Sequence, residues 1–287
     1  MTRPFLFLAV AFFACLLSFG SAVAQQPAQL DLTFGLYLTD KATTMFAKFK
    51  PIVDHLESDL PKRLHRPVKI TFKLSKTYDA AILALVQGDV DFVRFGPASY
   101  IIAKNRNSKL SLLAMELRGG KKRFNGVLIV AKDSPIKSIE QLRNKRFAFG
   151  DRNSTIGRYL AQDLLLKSGI NAHELGGFSF LGRHDRVAKA VELGDYDVGS
   201  VKISTFKKMN KAGKLRILAS FENVTKPWIA RAGLDPEVLK ALSASLHSIR
   251  EKSLLKTLKV SGLQPAQDHD FGFVRAAMKR ALAFEKK

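Results

Sequence analysis

The stretch Phe149-Gly150-Asp151-Arg152-Asn153-Ser154-Thr155-Ile156-Gly157 joins a short apolar strand to the start of a helix. Gly150 allows a tight turn where the strand ends, and apolar residues at helical spacing begin after Ser154. The first amides of a helix have no partner within it, and with the helix dipole they favour an anion. Thr155 adds a second hydroxyl at the same point. The stretch predicts a strand–loop–helix unit that holds an anion, although an N-cap at Asn153 or Ser154 gives the same pattern.

Strands and helices alternate on both sides of this unit, which favours an α/β fold with a largely parallel sheet. Residues 30–35 alternate with period two and predict the first strand, and residues 42–64 predict a long helix. Further strands are predicted at 67–74, 90–95, 110–116, 125–131, 146–150, 178–181, 198–201 and 215–221. Further helices are predicted at 78–87, 97–105, 138–142, 155–168 and 185–193, and residues 236–287 are predicted to be mostly helical. The pattern restarts after Gly119-Gly120, so we expect two α/β halves with hinges there and at 222–227.

The first 24 residues have the features of a secretory signal peptide. Arg3 precedes the apolar segment 5–19, and Ser21-Ala22-Val23-Ala24 offers a small-x-small cleavage pattern before Gln25. The alternative, an uncleaved anchor, is disfavoured because the apolar segment is short for a span of ~20 residues. Cys15 is the only cysteine, so the mature chain is expected to lack disulfides and cysteine ligands. We expect a periplasmic protein.

The formal net charge of +22 indicates an anionic partner, but the basic residues are spread along the chain and interleaved with acids. The predicted export signal argues against nucleic acid. No GxSxG, HExxH or Walker pattern is present, and a Ser154–His184 pair would have no evident third group to orient it. We therefore expect a binding protein that is not an enzyme and that has no cofactor and no metal.

Polar and aromatic residues follow other predicted strands. His184 comes directly after the strand 178–181, and Tyr78 and Tyr100 lie near the ends of strands in the first half. In parallel sheets the carboxyl ends of the strands meet at one edge, where ligands bind. The alternatives are that His184 is structural and that the two tyrosines only pack in the core or at its rim.

These features together resemble the phosphonate/phosphite/phosphate-binding proteins of bacterial ABC importers. The resemblance covers about residues 30–280 and rests on Tyr78, Asp91-x-x-x-Phe95-Gly96-Pro97-x-x-Tyr100, Lys132-Asp133-Ser134-Pro135-Ile136, residues 149–157, His184-Asp185 and Gly194-x-x-Asp197-Val198-Gly199. It implies the type II periplasmic binding protein fold, with two α/β lobes and a ligand cleft between them. The implied division is a signal peptide at 1–24, a first lobe at 25–118 plus 228–287, and a second lobe at 119–227.

The resemblance also implies a set of ligand contacts. Ser154, Thr155 and the backbone of Ile156 would hold the ligand oxygens, and His184 would add a donor. In the first lobe Tyr78 matches a ligand-facing tyrosine, and Phe95 stands where aminophosphonate binders have a second one. The remaining candidates from this comparison are Tyr100 and Tyr37.

The sequence departs from aminophosphonate binders at the positions that would meet an ammonium group. Ser204 and Lys226 replace a glutamate and an aspartate, and Lys202 lies nearby. A lysine beside a ligand ammonium in a partly dry cleft is unfavourable. We therefore expect a compact oxyanion, or an organic ligand with a second negative group, unless both lysines face solvent.

The expected partners are a small oxyanion (phosphonate, phosphite or phosphate-like) and the permease of an ABC importer. The alternative partner is a membrane receptor such as a histidine kinase, which would make the protein a sensor. We expect a monomer that does not bind nucleic acid.

Overall fold

The structure is a computed structural model that describes Met1 and residues 27–286. The predicted signal peptide and Cys15 thus lie outside the described residues. The strands are β1 (Leu30–Tyr37), β2 (Val68–Ser75), β3 (Phe92–Arg94), β4 (Ser111–Leu117), β5 (Arg123–Ala131), β6 (Phe147–Phe149), β7 (Phe178–Phe180), β8 (Val198–Lys202), β9 (Leu215–Val224), β10 (Pro227–Ala230) and β11 (Gly262–Gln264). The α-helices are α1 (Ala42–Leu64), α2 (Tyr78–Gln87), α3 (Pro97–Arg106), α4 (Leu160–Lys167), α5 (His184–Glu192), α6 (Ile203–Met209), α7 (Pro236–Ser248), α8 (Lys252–Leu258) and α9 (Gly272–Ala281).

The strands form two mixed sheets, so the prediction of a largely parallel sheet is wrong. One sheet has the order β11-β4-β10-β3-β1-β2 and the other has the order β7-β6-β8-β5-β9. β1 is parallel to β2 and β3, and β6 is parallel to β7 and β8. The antiparallel pairs are β3 with β10, β4 with β10, β4 with β11, β5 with β8, and β5 with β9. Each pair includes β4, β5, β9 or β10, the strands that flank the two places where the chain passes between the sheets. We refer to each sheet with its helices as the six-stranded half and the five-stranded half.

An aromatic stack anchors the centre of the six-stranded half. The ring of Phe34 in β1 lies 4.8 Å from that of Phe92 and 5.2 Å from that of Trp228, both stacked. Phe49 of α1 meets Phe34 edge-on at 5.7 Å. All four side chains are fully buried, and burying an aromatic ring of this kind stabilises the fold by roughly 1.5–3 kcal/mol. The stack fixes β1 and β3, whose carboxyl ends lead into the site.

The chain crosses twice between the sheets, once from β4 to β5 and once from β9 to β10. The crossings lie side by side, because the Thr225 amide donates to the Lys122 carbonyl at 3.1 Å. Gly119 and Gly120 have φ of 54° and 74°, a region that favours glycine. The predicted hinges fall on these crossings, and hinge motion stays a prediction.

The end of the chain contacts both halves. Phe271, just before α9, packs with Tyr100 in the six-stranded half at 4.6 Å. Beyond α9, Phe284 is fully buried against Phe149 at 5.7 Å in the five-stranded half. The predicted lobe division places residues 228–287 in the first lobe, but the last of these residues pack on the second sheet.

Candidate functional site

The loop after β6 adopts a tight conformation that depends on glycine. The Gly150 amide donates to the Gly157 carbonyl at 2.7 Å, so the strand end and the first helical turn lie side by side. A Cβ atom at position 157 would lie 2.9 Å from both Cα of Gly150 and Oγ of Ser154, a separation that only glycine avoids. Asp151 fixes the loop, since its carboxylate accepts the Asn153 amide at 2.7 Å.

The helix predicted from Thr155 begins with a π-helical turn, Thr155–Tyr159, and continues as α4. The Ser200 hydroxyl donates to the Ile156 carbonyl at 2.7 Å, and a side chain that enters the helical ladder distorts it. Ser154 is the N-cap, because its hydroxyl accepts the Gly157 amide at 2.9 Å. The amides of Thr155 and Ile156 have no hydrogen-bond partner in the described chain, so they are available to an anion.

Thr155 and Ile156 line a small cavity of about 20 Å³ between the two halves. The cavity is narrow, so its occupant must be compact. Residues from both halves line the cavity: Tyr37, Tyr78, Gly96, Pro97, Phe124, Ser154, Thr155, Ile156, His184, Lys202, Asn223 and Lys226.

Most of the residues that the sequence singled out meet at this cavity, namely Ser154, Thr155, Ile156, His184, Tyr37, Tyr78, Lys202 and Lys226. Tyr100 lies elsewhere, because its hydroxyl donates to the Asp268 carboxylate at 2.8 Å. Phe95 is fully buried and its ring stacks on Tyr37 at 5.3 Å. Ser204 lines a larger neighbouring cavity. Tyr100 and Phe95 thus do not line the small cavity, and their contact with a ligand stays a prediction.

Four lining residues were not predicted as site residues: Gly96, Pro97, Phe124 and Asn223. Asn223 is 1% exposed, and its Oδ1 has no hydrogen-bond partner among the described residues. Buried polar atoms are nearly always hydrogen-bonded, so Asn223 is a further candidate for a ligand contact. The sequence did offer one signal for Asn223, namely a polar side chain near the end of a strand, just before Val224.

His184, the first residue of α5, is a buried and neutral donor. Burial lowers the pKa of His184 well below 6.5, and the charges of Lys202 and Lys226 lower it further. A hydrogen bond with the Ser200 backbone opposes these two effects. A neutral imidazole carries one N–H and one lone pair. Nδ1 is buried without a partner among the described residues. In the tautomer with its proton on Nδ1, His184 can donate to an oxyanion without bringing a charge of its own.

Two stacked tyrosines form the opposite wall. The rings of Tyr37 and Tyr78 lie 3.7 Å apart, and the Tyr37 oxygen accepts the Gly96 amide at 2.5 Å. Burial raises the pKa of Tyr37 to about 12 and that of Tyr78 well above 10. Both hydroxyls keep their protons near neutral pH, so both remain hydrogen-bond donors.

Thr155 links the two halves across the cavity. Its Oγ1 accepts the Ala98 amide of the six-stranded half at 2.9 Å. A hydroxyl that accepts one bond still has its own proton to donate. Asp40 and Lys208 form a second link, an ion pair at 3.2 Å. The halves are therefore in contact around the cavity, with one Thr155 donor left for a ligand.

Lys202 and Lys226 make the cavity electropositive. Both side chains are half-buried, and neither forms an ion pair with a carboxylate in the described chain. Burial lowers the pKa of Lys202 to about 8. Burial, with the nearby charges of Arg94 and Lys202, lowers the pKa of Lys226 well below 10.5. An anion that neutralises these groups is therefore favoured.

A family model described as the periplasmic substrate-binding protein of phosphonate ABC transporters matches residues 34–271. The chain belongs to this family. The predicted family membership is thereby confirmed, and with it the prediction of a periplasmic ABC binding protein. The family consists of substrate-binding proteins rather than enzymes.

Relatives of this family member include two curated proteins. A probable ABC transporter phosphite-binding protein, PhnD1 of Prochlorococcus marinus, is 28% identical over 73% of this chain and 71% of its own length. A phosphate-import protein, PhnD of Mycolicibacterium smegmatis, is 24% identical over 85% of this chain and 84% of its own. The solved structure of P. marinus PhnD1 with methylphosphonate has a TM-score of 0.77 and 22% identity over 87% of this chain and 97% of that one. This likeness confirms the predicted type II periplasmic binding protein fold.

Residues 27–286 contain no group of three or more His, Cys, Asp or Glu side chains placed to hold a metal ion. None of their helices has both the length and the apolar composition needed to cross a bilayer.

Proposed function

We propose that the protein captures a small oxyanion, of the phosphonate, phosphite or phosphate type, in the cavity at Thr155 and delivers it to an ABC importer. The observation that carries the proposal is the pair of unpartnered amides of Thr155 and Ile156, which face a small electropositive cavity between two halves. Family membership supports the class of ligand.

The lining groups match a tetrahedral oxyanion, which offers acceptors in several directions. The donors available to it are the two amides, the hydroxyls of Ser154 and Thr155, the tyrosine hydroxyls and Nδ1 of His184. Hydrogen bonds to a charged group contribute roughly 1.5–3 kcal/mol each. Asn223 also lines the cavity, and its side-chain amide has both a donor and an acceptor for a ligand oxygen.

The ligand carries no ammonium group on this account. Lys226 and Lys202 line the cavity, and among the lining residues there is no carboxylate to balance a ligand ammonium. A ligand amine would meet two unpaired cations at half-buried positions, which is unfavourable. We infer that 2-aminoethylphosphonate binds much more weakly than methylphosphonate.

Release and capture require the halves to separate. The cavity is bounded by both halves, and the crossings at Gly119-Gly120 and Thr225 are the segments around which they would rotate. We infer that the described arrangement is the closed one, which an ABC permease recognises. The predicted alternative, sensing through a membrane receptor, is less favoured because the matching family is that of ABC transporter components.

Calorimetry of the purified, dialysed protein tests the ligand class. We expect saturable binding of methylphosphonate, phosphite or phosphate, and weak binding of 2-aminoethylphosphonate. The double variant Ser154→Ala/Thr155→Ala should lose binding, whereas Thr43→Ala/Ser58→Ala, on the exposed face of α1, should keep it. If no oxyanion binds, or if the first variant binds as well as wild type, the proposal is wrong.

We also propose that the protein is exported and cleaved after Ala24. The intact mass of protein recovered from the periplasm should correspond to a chain that starts at Gln25. A full-length mass in the membrane fraction would instead indicate the uncleaved anchor.

A further inference from the structure

A second cavity of about 500 Å³ adjoins the first. Lys202 and Lys226 line both cavities, so these two side chains lie where the cavities adjoin. The larger cavity is lined by seven cationic side chains: Lys48, Arg94, Arg118, Lys202, Lys208, Lys226 and Lys259. The single carboxylate among its lining residues is Asp40.

Two of the seven cations are neutralised by carboxylates. Arg94 forms a buried two-bond pair with Glu116, at 2.6 and 2.7 Å, and Lys208 pairs with Asp40 at 3.2 Å. The other five cations form no ion pair within the described chain: Lys48, Arg118, Lys202, Lys226 and Lys259. The large cavity therefore has a surplus of positive charge that the protein itself does not balance.

This unbalanced positive charge is energetically unfavourable in the protein without a bound anion. Burial lowers the pKa of Lys48 well below 10.5, and the charge of Arg94 lowers it further. Burial and then the charges of Arg94 and Lys202 lower the pKa of Lys226. Burial lowers the pKa of Lys202, Asp40 partly opposes this, and Arg94 and Arg118 lower it further. A solvated basic surface would not show such shifts, because water screens exposed charges. Convergent, half-buried cations of this kind are stabilised when an anion binds among them.

We propose that the large cavity holds a second anionic group of the same ligand, so that the preferred ligand is a phosphonate or phosphate with a carboxylate or a second phosphoryl group. The head group sits at Thr155, and the second group lies among Lys48, Arg118 and Lys226. Hydroxyls of Thr44, Ser204 and Thr257 also line this cavity and supply further donors. The inference rests on the proposed function, because it assumes that an oxyanion occupies the small cavity.

Titrations with ligands that differ only in their tails test this inference. We expect 3-phosphonopropionate and methylenediphosphonate to bind at least about tenfold tighter than propylphosphonate and methylphosphonate, respectively; a tenfold ratio is about 1.4 kcal/mol. Binding of the doubly anionic ligands should also take up more protons, seen as a larger dependence of the heat on buffer ionisation. This follows because a second anionic group raises the lowered pKa values of the lysines in the cavity.

Two single substitutions test where the second anionic group of the ligand binds. Lys48→Met and Arg118→Met each change a residue that lines only the large cavity. Each should lower the preference for an anionic tail, measured as the ratio to methylphosphonate affinity, at least about threefold. Lys211→Met, at an exposed position on the five-stranded half, is the matched control. Melting temperatures identify a variant that has failed to fold, in which case the other variant decides.

The outcomes separate the two proposals. If methylphosphonate binds but an anionic tail adds nothing, the second subsite is refuted and the oxyanion site stands. If tails are preferred but both variants keep the full preference, the cavity is wrongly assigned. If none of the phosphonates binds, the proposed function itself fails.

Discussion

Replacing Thr155 by valine tests the double role of this hydroxyl. Thr155 Oγ1 accepts the Ala98 amide at 2.9 Å and has its proton free for the ligand. Valine has nearly the same shape but neither function. Leaving the Ala98 amide buried and unpaired costs about 1–3 kcal/mol, and the lost bond to a charged ligand costs roughly 1.5–3 kcal/mol. Even the lower limits together correspond to at least about a fiftyfold loss of affinity.

The loss should appear only in the closed, liganded state. In an open protein water satisfies the Ala98 amide, so the melting temperature of unliganded Thr155→Val should stay close to that of wild type. Calorimetry with methylphosphonate measures the affinity, and Thr155→Ser, which keeps the hydroxyl, is the control and should bind within about fivefold of wild type. The reasoning is refuted if Thr155→Val binds within about fivefold of wild type, or if the serine variant is as weak as the valine variant.

Three further changes have defined outcomes. Raising the pH through about 8 removes the charge of Lys202, so the affinity for methylphosphonate should fall in that range. Lys202→Met should flatten that part of the plot of affinity against pH. An unchanged plot for the variant would contradict the role of Lys202 in binding the anion. In the unliganded protein the same lowered pKa makes the free energy of unfolding rise between about 8 and 10.5, because the unfolded chain binds the proton more tightly. Gly96→Ala places a Cβ 3.0 Å from the Tyr37 hydroxyl inside the cavity, so affinity should fall about tenfold or more. Equal affinity would show that the cavity is not the site. Glu116→Gln leaves Arg94 buried without its partner, so the free energy of unfolding in urea should drop by about 3–5 kcal/mol, and an unchanged midpoint would refute this.

Local patterns were sufficient for much of the fold. The helices Ala42–Leu64 and Tyr78–Gln87 have the predicted bounds, because a long apolar periodicity and a Thr77 cap with a Gly88 stop are contained in the sequence itself. The strand Pro227–Ala230 was missed. It is four residues long and lies in the middle of a sheet, so its pairing is determined by distant partners rather than by any local signal.

The candidate site was likewise predicted only in part from the sequence. Ser154, Thr155 and His184 were found because strand ends and helix starts are visible in sequence. The positions of Lys48 and Arg118 were not found, because they reach the cleft from a helix face and a crossing segment that only the folded chain brings together. Tyr100 follows a strand in the expected way, yet its hydroxyl is taken by Asp268, 168 positions away.

The most direct test of the account is a crystal structure of the protein with methylphosphonate. We predict phosphonate oxygens within about 2.7–3.2 Å of the amides of Thr155 and Ile156, with both halves in contact with the ligand. A phosphonate held elsewhere, or a complex in which these two amides face solvent, would contradict the account.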